Sequence, residues 1–182
     1  MRIIILIFLV IFFFGCATTH IGPSDAPEPK EPLRPFSSFN NIYQKELTVS
    51  PQYSDAASTA AFAKVSENFD KEIETIFPNV NKYINLSDHD NKDEVLIIEP
   101  CIKKIKFVRG AKRVFFGPLA GSSAIVMEVK FIDGYGDIIA SPKFYQRAQA
   151  MGGAYSFGVT DNTMLFRIAQ EVSAYIREYY EK

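Results

Sequence analysis

The sequence of 182 residues predicts an α+β domain of order β-α-β-β-β-α, with about four mainly antiparallel strands and two helices on one face of the sheet. Two stretches, near residues 55–77 and beyond residue 160, repeat apolar residues every three or four positions, which is the period of an amphipathic helix. The predicted apolar stripes are Phe62, Val65, Phe69, Ile73 and Ile76 in the first, and Met164 or Leu165, Ile168, Val172, Tyr175 or Ile176, and Tyr179 in the second. Between them, residues 94–107 open with four consecutive apolar residues, as a centrally placed strand does, and residues 122–133 alternate apolar with polar positions. Strands flanked by helices in this way are typical of a two-layer fold.

The first sixteen residues predict an export signal. Arg2 precedes an unbroken apolar run of 12 residues, Ile3 to Phe14. A helix needs about 20 such residues to cross a bilayer, so this run is too short to span one. A basic start, a short apolar core and a small residue before the cut describe a signal that is removed.

Gly15 and Cys16 resemble the lipobox of bacterial lipoproteins. The resemblance implies cleavage of residues 1–15 and lipid attachment at Cys16. Ala17 follows, where lipoproteins of the inner membrane commonly carry Asp, which implies the outer membrane, facing the periplasm. The alternative is an ordinary secretory signal or an uncleaved anchor in which Cys16 has no role.

Residues 16–36 are expected to form a tether, and residues 37–182 a single globular domain. The tether segment holds five prolines, at positions 23, 27, 29, 32 and 35, and almost no large apolar residue. Proline-rich chains favour extended polyproline II. The charge is balanced, with 20 Lys and Arg against 21 Asp and Glu. Nucleic-acid-binding domains are usually markedly basic, so this balance argues against such a partner.

The elements follow in order along the domain. A strand is predicted near residues 38–48, and a helix over residues 55–77 that Pro78 ends. The strand over residues 94–107 contains Pro100, which is expected to mark a bulge or an edge. In the strand over residues 122–133, four alternate residues are expected to point inward: Ile125, Met127, Val129 and Phe131.

The last third of the chain predicts a hairpin and a helix. Asp133 to Asp137 contains two glycines and favours a tight turn. The returning strand is expected over residues 138–148. After a glycine-containing loop at 151–158, which could order on a partner, Thr160 or Asp161 is expected to begin the last helix.

Residues 117–140 resemble an uncharacterised bacterial lipoprotein domain family. The shared features are a glycine-rich loop (Gly117, Ala120, Gly121), an alternating strand that ends at Asp133, and a hairpin turn containing Gly136. The resemblance covers roughly residues 36–180 and implies the fold and the lipoprotein class. That family has no catalytic residues to transfer, so the resemblance implies no reaction.

The residues indicate no enzyme, no metal site and no cofactor. His89 is the only histidine after residue 36, and it lies in an acidic turn at residues 88–94 that is not an EF-hand loop. Cys101 follows Pro100 within a strand and is interpreted as a buried packing residue. No Gly-x-Ser-x-Gly elbow and no phosphate-binding loop is present.

One cluster is a candidate binding surface. It combines six cations with two neighbouring aromatics, which could engage anionic lipid headgroups, carboxylates or an acidic protein. The alternative is a solvated strand edge whose lysines discourage edge pairing. The residues of the cluster are Lys103, Lys104, Lys106, Arg109, Lys112, Arg113, Phe115 and Phe116.

These observations predict a non-enzymatic, lipid-anchored envelope protein that binds another envelope component in assembly or maintenance. The alternative is a periplasmic lipoprotein that binds a small, perhaps anionic, ligand through the same cations.

Overall fold

A computed structural model describes residues 21–53, 56–82, 91–107, 122–148 and 159–182. In chain order the strands are β1 (Asn41–Gln44), β2 (Thr48–Val49), β3 (Val95–Lys106), β4 (Ala124–Asp133), β5 (Ile138–Ala140) and β6 (Lys143–Arg147). The helices are α1 (Ala56–Ile76) and α2 (Val159–Glu178). The predicted α+β class is confirmed. Within these residues, no helix has the length and hydropathy to span a membrane.

The two longest strands form the centre of the sheet. β3 and β4 pair antiparallel along almost their whole length. On the other side of β3, both β1 and β2 pair with it in parallel. On the other side of β4, both β5 and β6 pair with it antiparallel. The six strands therefore occupy four positions across the sheet, called here lanes. Each outer lane consists of two short strands that follow one another along the same neighbour.

Pro100 explains why the strand predicted near residues 38–48 is divided into β1 and β2. The main-chain N–H of Lys45 bonds to the carbonyl of Ile98, and that of Ser50 bonds to the carbonyl of Ile102, at 2.9 and 3.0 Å. Pro100 lies midway between these two bonds, on the same edge of β3, and has no N–H to donate. Its carbonyl accepts from the Thr48 hydroxyl instead. The bulge expected at Pro100 lies farther along, between Ile102 and Lys104.

Both helices pack on one face of the sheet, called here the helix face. Their apolar stripes join the inward side chains of the central strands in one core. The inward positions predicted for β4 are confirmed, because all four are fully buried in this core. The predicted helix stripes are confirmed at the buried residues Val65, Phe69, Ile73, Met164, Leu165, Ile168, Val172 and Ile176.

Residues 21–36, called here the strap, lie against the sheet, although they were expected within the tether. Ile21 is buried with Ala124 and Val126 on the far face, the face opposite the helices. At the other end, Phe36 is completely buried in the helix-face core, with its ring centroid 4.7 Å from that of Phe131. Since its two ends contact opposite faces, the strap passes around the outer edge of β5 and β6. Apolar residues at each end fix this path.

Candidate functional site

A groove separates the middle of the strap from the outer edge of β6. Strap residues including Glu28 and Pro29 line one side, and Lys143 to Tyr145 of β6 line the other, with α2 from Glu171 to Tyr179 as a third wall. The volume is about 470 Å³. A second cleft of about 450 Å³ shares Glu28, Pro29 and Lys143 and extends the groove towards Ala140. These two connected clefts form the candidate site.

The strap is held on both sides of the groove. Before it, the Lys104 ammonium lies 2.5 Å from the Asp25 carboxylate, and this hydrogen bond raises the pKa of Lys104. After it, the Tyr175 hydroxyl donates to the carbonyl of Lys30 at 2.7 Å. The N–H of Leu33 then bonds to the carbonyl of Ile139 in β5. The segment between these attachments spans the groove.

The edge of β6 that faces the groove has free hydrogen-bonding capacity. Val129 donates to the carbonyl of Pro142, and Ala148 donates to the carbonyl of Ser123. Because hydrogen-bonding direction alternates along an antiparallel strand, the N–H and C=O of Lys143 and Tyr145 point away from β4. No main-chain group elsewhere in the described ranges pairs with them.

Proline explains why the strap does not fill this edge. An added strand must present N–H groups at alternate residues along one side. Pro27 and Pro29 occupy such alternate positions and have no N–H. The strap therefore lies over the edge without bonding to it, which is one way in which proteins keep an edge strand from pairing with the edge of another sheet.

The wall formed by α2 is acidic. Glu178 pairs with Lys182 at 3.2 Å. Glu171 instead accepts a hydrogen bond from the neutral amide of Gln146 at 2.5 Å, and it belongs to none of the ion pairs that the described residues form. Burial raises the pKa of Glu171, although the Gln146 hydrogen bond and the nearby Arg167 charge act in the opposite direction. A half-buried carboxylate without an ion-pair partner is favourable for binding a cation.

Aromatic rings lie beside these carboxylates. The Tyr175 ring packs against Phe144 at 5.9 Å and against Tyr179 at 5.0 Å, measured between centroids. Burial, followed by the charges of Tyr179, Glu178 and Glu31, raises the pKa of Tyr175 above its usual range. The phenol therefore stays protonated and remains a hydrogen-bond donor to the strap.

The cation cluster predicted from the sequence is only partly described. Lys103 lies 3.3 Å from Glu128 and Lys104 pairs with Asp25, so both ammonium groups already have carboxylate partners. The bulge in β3 places these consecutive lysines on the same face. Lys106 ends β3. The binding role stays a prediction, and six of the predicted residues lie outside the described ranges: Cys16, Arg109, Lys112, Arg113, Phe115 and Phe116.

Cys101 is partly exposed, so its interpretation as a buried packing residue is wrong. It lies directly opposite Glu128 in the β3–β4 register, on the far face, where the central strands carry charged side chains. Residues 88–90 of the acidic turn, which include His89, and the loop at 151–158 lie outside the described residues.

The opposite side of the sheet also has a cleft, of about 370 Å³, beside β1. Two positive and two negative residues line it, so the lining carries no net charge: Lys45, Glu46, Asp70 and Lys82. The Asp70 carboxylate accepts from the Gln44 amide at 2.5 Å and from the Lys82 ammonium at 2.9 Å. This cleft therefore offers less unbalanced charge to a ligand than the groove does.

No family model and no curated protein matches this sequence. Among solved structures, the chain is similar to PelC from Paraburkholderia phytofirmans, which is described as a dodecamer in two crystal forms. In both, the TM-score is 0.51 and the identity 8%, covering 82% of this chain and 96% or 94% of PelC. This likeness shows a shared fold. A Xanthomonas campestris protein of family DUF330 also matches, at 8% identity over 80% of this chain and 90% of that protein, but with a TM-score of only 0.39.

Sequence reasoning missed the groove because its walls come from three distant segments. Two signals were present: the alternation of Pro27 and Pro29, and the spacing of Glu171, Tyr175 and Glu178 along one side of a helix. Neither identifies the edge strand that the strap passes.

Proposed function

We propose that this protein is a non-enzymatic binding protein of the bacterial envelope, held at the membrane by a lipid on Cys16, and that it binds another envelope component through the groove. The open edge of β6, where the main-chain groups of Lys143 and Tyr145 face the groove beside the strap, carries this proposal. Exposed strand edges serve as binding sites for other chains. The signal sequence and the Gly15-Cys16 pair support the location in the envelope, with the outer membrane facing the periplasm as the expected address.

Two measurements test the proposal. Mass spectrometry of the mature chain is expected to show that it begins at a diacylglyceryl-modified Cys16. A photoreactive amino acid placed at the exposed Glu28 beside the groove is expected to yield a specific crosslinked product in intact envelopes. The control is the same amino acid at Glu74, which is exposed on α1. An unmodified Cys16 would remove the envelope anchor, and equal products from both positions would remove the groove as the binding surface.

A second candidate function is self-assembly, which the likeness to a PelC dodecamer favours. The contact surface would be an exposed apolar patch formed by Leu33, Tyr135 and Ile138, which are 78%, 62% and 52% exposed. The bond from Leu33 to Ile139 places Leu33 beside Ile138. Sedimentation of the full chain is expected to show an oligomer that Leu33→Ser with Ile138→Ser dissociates; a monomeric parent protein would exclude this function.

A further inference from the structure

We propose that the groove takes an extended, cationic peptide segment, which adds to the sheet as a strand on the outer edge of β6. The inference rests on the proposed function and names the chemistry of the partner: a protein segment in β conformation that carries Arg or Lys.

The main chain of β6 selects a peptide over other ligands. Lys143 and Tyr145 each present one N–H and one C=O to the groove, and two residues along a strand are about 6.8 Å apart. This row of alternating donors and acceptors matches the main chain of another strand. A small cation would leave both N–H groups without an acceptor.

The wall of α2 selects the charge of the peptide. Side chains of an added strand that point to the helix face would meet Glu171 and Glu178, which lie about two helical turns, or ~10.5 Å, apart. Glu171 has only a neutral hydrogen-bond partner among the described residues. The Tyr179 ring also lines this wall, and the Lys182 ammonium lies 4.9 Å from its centroid. A guanidinium group of the peptide can take the place of this ammonium on the ring. A segment with Arg at alternate positions therefore complements the wall.

The strap limits which partners can reach the edge of β6. Its prolines leave the edge strand free, while its attachments at Asp25 and Lys30 keep it over the groove. A partner must therefore enter as a single narrow strand, because the strap excludes the broad edge of another sheet. This favours a peptide segment over a second copy of the domain.

The charge of the partner is tested with a probe peptide. The full-length protein in mild detergent is titrated into a fluorescent peptide of alternating Val and Arg, and anisotropy is recorded. Saturable binding is expected, and a peptide with Glu in place of Arg is expected to bind at least tenfold more weakly. Glu171→Gln is expected to weaken binding about threefold, whereas the exposed Glu74→Gln on α1 leaves it unchanged. Equal binding of the Arg and Glu peptides would overturn the proposal.

The main-chain pairing is tested separately. Tyr145→Pro removes the outward N–H, and Tyr145→Ala removes only the side chain, so the Pro variant is expected to bind at least fivefold more weakly than the Ala variant. Circular dichroism shows whether both variants fold. As a test that leaves the protein intact, an Arg peptide methylated at every amide keeps its charge and is expected to lose at least tenfold in affinity. Full binding by the methylated peptide would show attraction by charge alone and overturn strand addition.

Two further outcomes have distinct meanings. If no peptide binds and Tyr145→Pro dissociates an oligomer of the parent protein, the edge takes a second copy and the inference is wrong. If no peptide binds while the crosslinks from Glu28 persist in envelopes, the inference is wrong and the proposed function stands.

Discussion

The two outer lanes of the sheet are built alike but differ in the hydrogen bonding of their outward edges. Each consists of two short strands, with a break near Lys45 to Leu47 on one side and at Ser141 and Pro142 on the other. The outward edge of β1 is closed, because Asn81 donates to the carbonyl of Ile42 and accepts from the N–H of Gln44, each at 2.9 Å. The outward edge of β6 faces the strap without bonding to it. One edge is completed by the fold, and the other is shielded but left available.

The charges follow the same division. Beside β1, Asp70 is held between an amide and an ammonium group. On the exposed side of α1, Glu67 pairs with Lys64 and Lys71, each at 2.7 Å. Beside β6, Glu171 has no ion-pair partner in the described parts of the chain. An open edge next to a carboxylate without an ion pair is what separates the groove from the closed side of the domain.

The largest expected effect comes from detaching the strap. Phe36→Ala leaves a cavity against Phe131 and Tyr175 in the core, and such truncations cost about 3–5 kcal/mol of unfolding free energy. Urea denaturation measures this loss. Glu31→Ala is the control at an exposed strap position and is expected to change stability by less than about 0.5 kcal/mol. A loss below about 1 kcal/mol for Phe36→Ala would mean that the strap is not part of the folded domain.

Proline substitution at each edge compares the two lanes directly. Asn81→Pro removes the N–H that bonds to Ile42 and is expected to cost about 0.5–1.5 kcal/mol more than Asn81→Ala. Tyr145→Pro removes an N–H without a partner and is expected to cost no more than Tyr145→Ala. Thermal unfolding of the four variants gives both differences. An equal penalty at the two edges would show that β6 is closed like β1.

The bond between α2 and the strap is expected to contribute less. Tyr175→Phe removes the hydroxyl that donates to Lys30 and is expected to cost about 1 kcal/mol. Tyr179→Phe is the control, since its hydroxyl has no hydrogen-bond partner among the described residues. Urea unfolding of both variants is the measurement. No difference between them would show that this bond adds nothing to the attachment of the strap.

The smallest effects are opposite pH dependences of stability on the two sides. The raised pKa of Glu171 means that its protonated form favours the folded state, so wild-type stability relative to Glu171→Gln is expected to fall as pH rises from about 4 to 7. Hydrogen bonds from Lys64 and Lys71 lower the pKa of Glu67 to about 2. The wild-type protein is therefore expected to be more stable than Glu67→Gln above about pH 4. This difference is expected to disappear as pH falls through about 2.

Urea midpoints measured across this pH range test both slopes. The Glu67 difference should be small and should shrink further in high salt, because its side chain is exposed to solvent. Slopes of the same sign for the two residues would contradict the electrostatic contrast between the two sides of the sheet.

Local pattern was a good guide to the central elements. The alternation from Ile125 to Phe131 and the three-four spacing of Val65, Phe69 and Ile73 correctly predicted which side chains are buried. The strands predicted over 38–48 and 138–148 lie where they were expected, but each is divided in the structure, into β1 and β2 and into β5 and β6. In both cases a proline contributes to the break, and the effect of Pro100 falls on a neighbouring strand that is distant in sequence.

The candidate site was not predictable in the same way. Lys103 and Lys104 form a conspicuous basic pair in the sequence, yet Lys104 meets Asp25, which is 79 residues away. The strap contains mostly proline and polar residues, which by themselves indicate an extended tether. Only the burial of its end residues places it against the sheet.

The sequence alone was sufficient for the helices, the central strands and the expectation of a lipid-anchored export signal, because these depend on short-range periodicity and on motifs of a few residues. The tertiary structure decided which edge of the sheet is closed, which is left open, and where the proline-rich segment lies. These features depend on contacts between residues far apart in the chain, such as Tyr175 and Lys30, which are separated by 145 residues. No local pattern encodes such a pairing, because its energy arises only when the whole core has brought the two groups together.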